Sequence, residues 1–261
     1  VASASIVDVE FADGSQYSAS VIGLDPNSDL AIIKVNPNGK ILTPLNLGDS
    51  TNVKVGNHTI VIGSPFGQEF SMSSGIVSAI KRTVPSQNAR FSIPNVIQTD
   101  AAINRGSSGG ALINTKGEVI GISTAILTES GGSQGIGFAI PAPLARSVMN
   151  ALIEDGRVRR GWLGILPDAI DLETATALDL PPNTGILVKA IAPHTPAKEA
   201  GFEVGDIIVK VGDSIVGNQY QALKAVASQP PGSMVNIQIL RNSEPMILQV
   251  RVAERPQNSK Q

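Results

Sequence analysis

The sequence has no cysteine and only two histidines among its 261 residues. The absence of cysteine excludes a disulfide framework, a thiolate metal site and a cysteine nucleophile. Two histidines are too few for a histidine-rich metal site. Aromatic residues make up 3% of the chain, whereas it contains 26 glycines and 17 prolines. Few aromatics with much glycine, proline, valine and isoleucine are typical of a globular, β-rich protein.

Charge and long apolar runs are also scarce. The net charge is -2 and no basic stripe is present, so nucleic acid is not an expected partner. No apolar run reaches the roughly 18 residues of a membrane span. The chain opens on VASASIVDVEF, with no initiator methionine, signal peptide or transit segment. We therefore expect it to lack its natural N-terminus.

Short β-branched runs separated by turn signals occupy the first part of the chain. LAIIKV and HTIVIG are examples, and Asp13-Gly14, Asn38-Gly39 and Lys116-Gly117 mark turns. Many short strands at this spacing predict a sandwich or a barrel.

The periodicity changes at Pro141, where PAPLARSVMNALIEDGR predicts a helix of about 12 residues ending near Gly156. Its apolar face consists of Leu144, Val148 and Leu152, with Met149 and Ile153 beside them.

The rest of the chain predicts a small α+β domain. Its strands alternate with two helices, one capped by Thr195 and one with Leu223, Val226 and Ala227 on one face. We expect domains at 1–157 and 158–255, followed by a polar tail at 256–261.

TDAAINRGSSGGALIN, residues 99–114, contains the strongest candidate for chemistry. Glycines around a serine let the backbone turn sharply, expose the hydroxyl and leave N–H groups pointing at one spot. An acyl-transfer nucleophile needs this geometry. The same residues also suit a solvated turn.

Several motifs in fixed order resemble the HtrA/Deg serine proteases over nearly the whole chain. In the first part they are SDLAIIKV, GNHTIVIGSPFG, SSGIVSAI, TDAAINRGSSGGALIN, GEVIGISTAIL and GIGFAIP. The segments RRGWLGI and AIAPHTPAKEAGFEVGDIIVKVGDSIV resemble the PDZ domain of that family. The resemblance implies a mostly β fold. It consists of a chymotrypsin-like double β-barrel, the first barrel lacking its opening strands, and then a PDZ domain. The single PDZ domain is similar to the DegS-type branch.

The resemblance implies a role for each residue of the candidate site. Ser108 is the expected nucleophile, with Ser107 where the family has asparagine, and the N–H groups of Gly106 and Ser108 form the oxyanion hole. Asp29 matches the triad carboxylate, although an aspartate before a strand also suits a turn or cap.

The general base is missing from its expected place. The family order is His, Asp, Ser, and no histidine precedes Asp29. His58 and His194 suit a strand start and a surface turn better than a catalytic role. We expect the base to lie upstream of Val1, so that the 261 residues alone are inactive and the first barrel has an unpaired edge. The alternative is a non-catalytic scaffold, a pseudoprotease barrel with a peptide-binding PDZ domain.

The resemblance also implies binding residues. Thr124, Ala125, Ile126, Leu127 and Thr128 match the strand that pairs with an extended substrate. Ile103 either lines the primary pocket or belongs to the core. Arg82 matches an arginine of the activation loop that senses the PDZ domain, or is simply solvated.

In the second domain, the expected binding site is a carboxylate loop. Trp162, Leu163, Gly164 and Ile165 match the PDZ loop that captures a peptide C-terminus, or form a simple strand start.

The family implies partners and a location as well. We expect unfolded or regulatory protein substrates, peptide C-termini at the PDZ domain, a homotrimer, and no metal or cofactor. The expected location is the bacterial periplasm, free or anchored at the inner membrane, in protein quality control or stress signalling.

Overall fold

The structure is a computed structural model that divides into two compact units, Val1–Val158 and Arg159–Gln261. It describes residues 4, 6–85, 92–128, 131–171, 175–176, 180–181 and 184–256. Within these residues, no helix has the length and apolar character needed to cross a bilayer.

The first unit opens with a three-stranded antiparallel sheet. Its strands are β1 (Val7–Glu10), β2 (Gln16–Asp25) and β3 (Leu30–Val35). The predicted Asp13-Gly14 turn joins β1 to β2, with Gly14 at a φ of 79°. Strand β2 lies in the middle, so β1 and β3 each have one strand partner in the described part of the chain.

Six further strands close into a barrel. They are β4 (His58–Gly63), β5 (Ser71–Pro85), β6 (Ser92–Thr99), β7 (Ala111–Ile113), β8 (Val119–Ile126) and β9 (Gly137–Pro141). Their order is β4-β5-β6-β9-β8-β7, and β4 pairs with β7 to complete the circle. Closure pairs the strand edges and fills the interior with side chains such as Val77, Leu112 and Ile120.

The helix predicted after Pro141 is present as α1 (Ala142–Asp155). It ends at Gly156, whose φ is 69° and whose N–H donates to Leu152 O. Val148 and Leu152 of the predicted apolar face are buried and Leu144 packs against the core. Ala142 and Ala145 are buried as well, whereas Ile153, predicted beside this face, is 59% exposed. Small alanines lie against the unit and the large isoleucine does not.

The second unit is built on a six-stranded sheet. The strands of the unit are β10 (Gly161–Trp162), β11 (Ile165–Asp168), β12 (Ile186–Ile191), β13 (Ile207–Val211), β14 (Ser214–Ile215), β15 (Met234–Arg241), β16 (Glu244–Arg251) and β17 (Ala253–Glu254). The sheet order is β11-β12-β13-β15-β16, with β14 on β13, and β10 pairs separately with β17. Strand β11 is therefore an edge strand.

The two predicted helices of this unit are α2 (Pro196–Glu199) and α3 (Gln219–Ala227). Asn218 caps α3 by accepting from the Gln221 N–H, and the Gln221 side chain accepts in return from the Gly217 N–H. The predicted apolar face of α3 needs correction. Ala222 and Ala225 are the buried positions of α3, and Leu223, Val226 and Ala227 are half-buried.

An ion pair joins Asp206, which directly precedes β13, to Arg241 at the end of β15. The Asp206 side chain is fully buried, and the Arg241 guanidinium reaches it with Nε–Oδ1 and Nη2–Oδ2 distances of 2.7 and 2.8 Å. The Glu203 N–H also donates to Asp206 at 2.9 Å. Hydrogen bonding to Asp206 raises the pKa of Arg241. The carboxylate is thus paired twice over, as a buried charge must be.

Replacing Arg241 by methionine should lower the free energy of unfolding of the second unit by about 3 kcal/mol, because the buried Asp206 carboxylate loses its partner. Urea unfolding followed by circular dichroism measures this. The matched control is Lys189→Met, which breaks the exposed 2.6 Å pair with Asp168 and should change stability little. Equal losses from both variants would show that the Asp206–Arg241 pair is not special.

Candidate active site and peptide groove

A tight turn before β7 presents Ser108 to solvent. The Ser107 N–H donates to Asn104 O at 2.9 Å, and the Gly110 N–H donates to Ser107 O at 3.0 Å. The turn buries the Ser107 side chain, which is 2% exposed, and leaves the neighbouring Ser108 exposed. Of two adjacent serines, only the predicted nucleophile is accessible.

The backbone on the N-terminal side of Ser108 is anchored by its carbonyl. The Phe66 N–H donates to Arg105 O at 2.8 Å. Since the two polar groups of a trans peptide point in opposite directions, the Gly106 N–H is turned away from Phe66. Among the described residues, the N–H groups of Gly106 and Ser108 have no hydrogen-bond acceptor. This is the state that an oxyanion hole requires.

Only glycine fits at position 106. Its φ is 100°, and a Cβ there would lie 2.3 Å from Ser64 O. The close approach to Ser64 places Gly106 where its peptide can be held by the Phe66 N–H. Gly109, at a φ of 86°, has open space around it.

Thr124 links Asp29 to Ser108. The Thr124 Oγ1 donates to Asp29 Oδ2 at 2.7 Å, and the Ser108 Oγ donates to Thr124 O at 3.2 Å. Thr124 is buried at a register shift of β8, and Asp29 is half-buried in the turn between β2 and β3. The structure therefore brings Asp29 and Ser108 to the two sides of one residue.

The edge of β8 beyond Ile122 is open to an added strand. The last β7 partner in register is Ala111, opposite Ile122. The Ser108 turn then covers Ser123, because the Gly109 N–H donates to Ser123 O at 2.8 Å. Further along, Ala125 and Ile126 pair with β9 on one side and with no strand on the other within the described residues.

The predicted binding strand is shorter than its sequence suggested. Strand β8 ends at Ile126, and Leu127 keeps one bond from its N–H to Ile136 O at 3.0 Å. Thr128 lies in the loop that follows, where its hydroxyl donates to Gly132 O at 2.6 Å. Thr128 therefore belongs to the loop and not to the strand.

Two other predicted residues, Ile103 and Arg82, differ in burial. Ile103 is 1% exposed in the barrel core, where a Cβ on Gly137 would lie 2.8 Å from its Cδ1. This position fits the core alternative. Arg82 is exposed on β5, in register with Val96. Residues 86–91 of its segment lie outside the described residues.

In the loop between β10 and β11, backbone carbonyls are held by N–H groups of the same unit, as Arg105 O is held before Ser108. The Ala197 N–H donates to Leu163 O and the Ala192 N–H donates to Gly164 O, both at 2.9 Å. The N–H groups of Gly164 and Ile165 therefore point the opposite way. Adjacent N–H groups turned to one side form an anion-binding concavity.

Gly164 fits this loop because it has no side chain. Its φ is 82°, and a Cβ would lie 2.4 Å from the Thr195 Cβ.

Trp162 is half-buried on β10 opposite Ala253.

Sequence reasoning missed two residues of the first site. Thr124 was expected only to bind substrate, and its bond to Asp29 joins positions far apart in the chain. Phe66 was not singled out beyond its motif, although its N–H orients the Arg105–Gly106 peptide. No periodicity or spacing signals either contact.

Comparison with known proteins identifies the family. A Trypsin-like peptidase domain model matches residues 1–122 and a PDZ domain model matches residues 161–252. The solved structure "HtrA-type protease AlgW with tripeptide" aligns with a TM-score of 0.91 at 40% identity, covering 98% of this chain and 84% of that one. The chain belongs to the HtrA protease family. The predicted trypsin-like and PDZ folds are confirmed, and the DegS-type branch is consistent with the AlgW neighbours.

Curated HtrA relatives are longer than this chain. Periplasmic serine endoprotease DegP of Salmonella typhimurium is 40% identical over 99% of the chain, and periplasmic pH-dependent serine endoprotease DegQ of Escherichia coli is 38% identical over 94%. The chain spans 54% and 53% of their respective lengths, about half in each case.

Replacing Gly106 by alanine should destabilise the first unit more than replacing Gly109. Both variants place an L side chain at positive φ, which costs about 1–2 kcal/mol. Only Gly106→Ala also forces a Cβ against Ser64 O, which adds about 1–3 kcal/mol. Urea unfolding of both variants measures the difference, and equal losses would mean that the turn yields without strain.

Proposed function

We propose that this chain is the protease and PDZ part of a serine endopeptidase in which Ser108 attacks the substrate carbonyl. The observation that carries the proposal is the Asp29–Thr124–Ser108 arrangement beside the outward-turned Gly106 N–H. An exposed hydroxyl, a held carboxylate and two unengaged N–H donors are the parts that acyl transfer needs. The serine endoprotease names of the DegP and DegQ relatives support it.

In the proposed mechanism, a substrate strand lies along the open edge of β8. Main-chain pairing with Ala125 and Ile126 would bring the scissile carbonyl to the Ser108 Oγ. The N–H groups of Gly106 and Ser108 would stabilise the oxyanion as the tetrahedral intermediate forms. Asp29 would orient a histidine and stabilise its imidazolium form.

Neither histidine of the 261 residues suits the role of that base. Gly63, at the end of β4, lies against Ser107, and His58 is exposed at the other end of this six-residue strand. Five residues of strand span about 17 Å, which is beyond hydrogen-bonding reach. His194 lies in the turn between β12 and α2. We infer that the base comes from outside these residues.

The function proposed for the PDZ domain is regulation by peptide C-termini. The N–H groups of Leu163, Gly164 and Ile165 would hold a terminal carboxylate, and the peptide would continue along β11. The titles of related structures, HtrA-type protease AlgW with a decapeptide and with a tripeptide, support peptide binding. Arg82 is the proposed element that responds to the PDZ domain.

The relatives also suggest a setting. Their names support the bacterial periplasm as the location. We further propose a homotrimer that acts on unfolded or regulatory proteins in quality control or stress signalling, with no metal or cofactor.

A fluorophosphonate probe tests the catalytic proposal on the full-length gene product, with the 261-residue chain beside it. We expect Ser108 of the full-length protein to be labelled, Ser108→Ala to abolish labelling, and His58→Ala to leave it unchanged. The 261-residue chain should label at least about a thousandfold more slowly, since it lacks a base.

The outcomes separate the two functions weighed for this chain. Absence of labelling in the folded full-length protein would favour the non-catalytic scaffold. Loss of labelling in folded His58→Ala would instead make His58 the base and overturn our inference.

Thr124→Val should lower kcat/KM of the full-length protein by roughly 10- to 100-fold, because a hydrogen bond to a charged group contributes about 1.5–3 kcal/mol. Thr124→Ser should restore most of the activity. The control is Thr59→Val, which removes the buried 2.9 Å bond between the hydroxyls of Thr59 and Thr99. If the Thr59 variant lost as much activity per folded molecule, the effect would be one of barrel stability.

A further inference from the structure

The backbone polar groups of β11 alternate between the side that faces β12 and the free edge of the sheet. Gly164 O accepts from the Ala192 N–H, so the polar groups of the next alternate residue, Leu166, also face β12. Hydrogen bonds alternate along an antiparallel pair. The register shifts between Leu166 and Pro167, and the extra residue, Lys189, lies on β12, so the alternation continues along β11. The polar groups of Ile165 and Pro167 therefore face away from the sheet, toward the side where a peptide would add.

The second groove-facing position has no donor. Pro167 lacks an N–H, so a peptide carbonyl opposite it would find no main-chain partner. Its own carbonyl is engaged, since the Gln219 Nε2 of α3 donates to Pro167 O at 3.3 Å. A peptide that pairs here gains at most one main-chain hydrogen bond, to an oxygen that already accepts from the Gln219 amide.

The next alternate residue, Ala169, follows the end of β11, and its N–H is engaged by a side chain. The Ala169 N–H donates to Asp168 Oδ1 at 2.9 Å, and the other oxygen of this carboxylate accepts from Lys189 Nζ at 2.6 Å. These hydrogen bonds, led by the one from Lys189, lower the pKa of Asp168. The carboxylate therefore remains an acceptor at neutral pH, and it competes with any peptide for the Ala169 N–H.

We propose that this groove binds only the last three residues of a peptide C-terminus, and that Pro167 and Asp168 set this limit. The inference rests on the proposed carboxylate loop. An antiparallel peptide held at that loop places its last residue beside Ile165, its third-last beside Pro167 and its fifth-last beside Ala169. Beyond Ile165, the groove side offers no available N–H as far as Ala169, so the carbonyls of upstream peptide residues find no main-chain donor.

Pro167 also has a second consequence. Proline on an edge strand protects the edge from pairing with other chains. Protection of the edge and the limit on peptide length both arise from the missing N–H of Pro167. The two explanations predict different effects of peptide length on affinity. Protection alone sets no limit on the length of a bound C-terminus, because such a peptide could continue through Ala169.

Peptide length is the variable that tests the proposal. The probe is the strongest binder to the 261-residue chain from an array of heptapeptides with free carboxylates, varied at the last three positions. Its acetylated C-terminal tripeptide and its amide-capped heptapeptide are compared by isothermal titration calorimetry. We expect the heptapeptide and tripeptide Kd values to agree within about twofold, and the amide-capped form to bind at least tenfold more weakly.

Substitutions test the two residues that set the limit. Asp168→Ala frees the Ala169 N–H and should tighten heptapeptide binding about fivefold, the value of one hydrogen bond, without changing tripeptide binding. Pro167→Ala restores a donor opposite the third-last residue and should tighten both by a similar factor. The control, Lys189→Ala, leaves the Asp168–Ala169 bond in place and should change neither.

Tripeptide affinity also reports folding in each variant, because it needs the intact loop. A heptapeptide that binds the unmodified protein tenfold more tightly than the tripeptide would overturn the inference. So would affinities that do not respond to Asp168→Ala and Pro167→Ala. An array with no carboxylate-dependent binder would overturn the proposed PDZ function as well, which separates the two failures.

Discussion

The direction of a few backbone carbonyls determines both candidate sites. A trans peptide fixes its N–H opposite its carbonyl, so anchoring the carbonyl inside the protein aims the N–H outward. The Phe66 N–H anchors Arg105 O and thereby directs the Gly106 N–H. The N–H groups of Ala197 and Ala192 do the same for the loop at Leu163 and Gly164. Each unit thus has outward-facing N–H donors, which is the arrangement that our proposed function requires.

Both devices depend on glycine for the same reason. Gly106 and Gly164 have positive φ angles, and at each a Cβ would collide with a neighbour that helps to form the site, Ser64 O in one case and the Thr195 side chain in the other. The approach that excludes a side chain also fixes the peptide plane. Since packed backbone cannot shift by a few tenths of an ångström without cost, the donors stay aimed.

The two open strand edges differ in how much pairing they allow. On β8, Ala125 and Ile126 keep an edge without a strand partner in the described part of the chain, beside the exposed Ser108. On β11, Pro167 removes a donor and Asp168 occupies the next one. One edge suits an extended segment that passes the proposed nucleophile, and the other suits the short terminal segment that we propose. On β11, the limit on pairing comes from Pro167 and Asp168.

Local signals in the sequence determined the elements and the residue types of this protein. Turn dipeptides, helix caps such as Thr195 and the change of periodicity at Pro141 predicted where strands and helices lie, because these depend on neighbours within a few residues. The glycines around Ser108 predicted a sharp turn that exposes the serine hydroxyl. Helix faces were predicted less well, since α1 and α3 bury small alanines that a pattern of large apolar residues does not show.

Only the tertiary structure decided what these elements do together. The Thr124–Asp29 bond, the anchoring of Arg105 by Phe66 and the Gln219–Pro167 contact join residues whose spacing carries no period. The fold creates these contacts by bringing together elements that are far apart in the chain. The sequence alone therefore determined which groups are available, and the three-dimensional packing decided which of them meet.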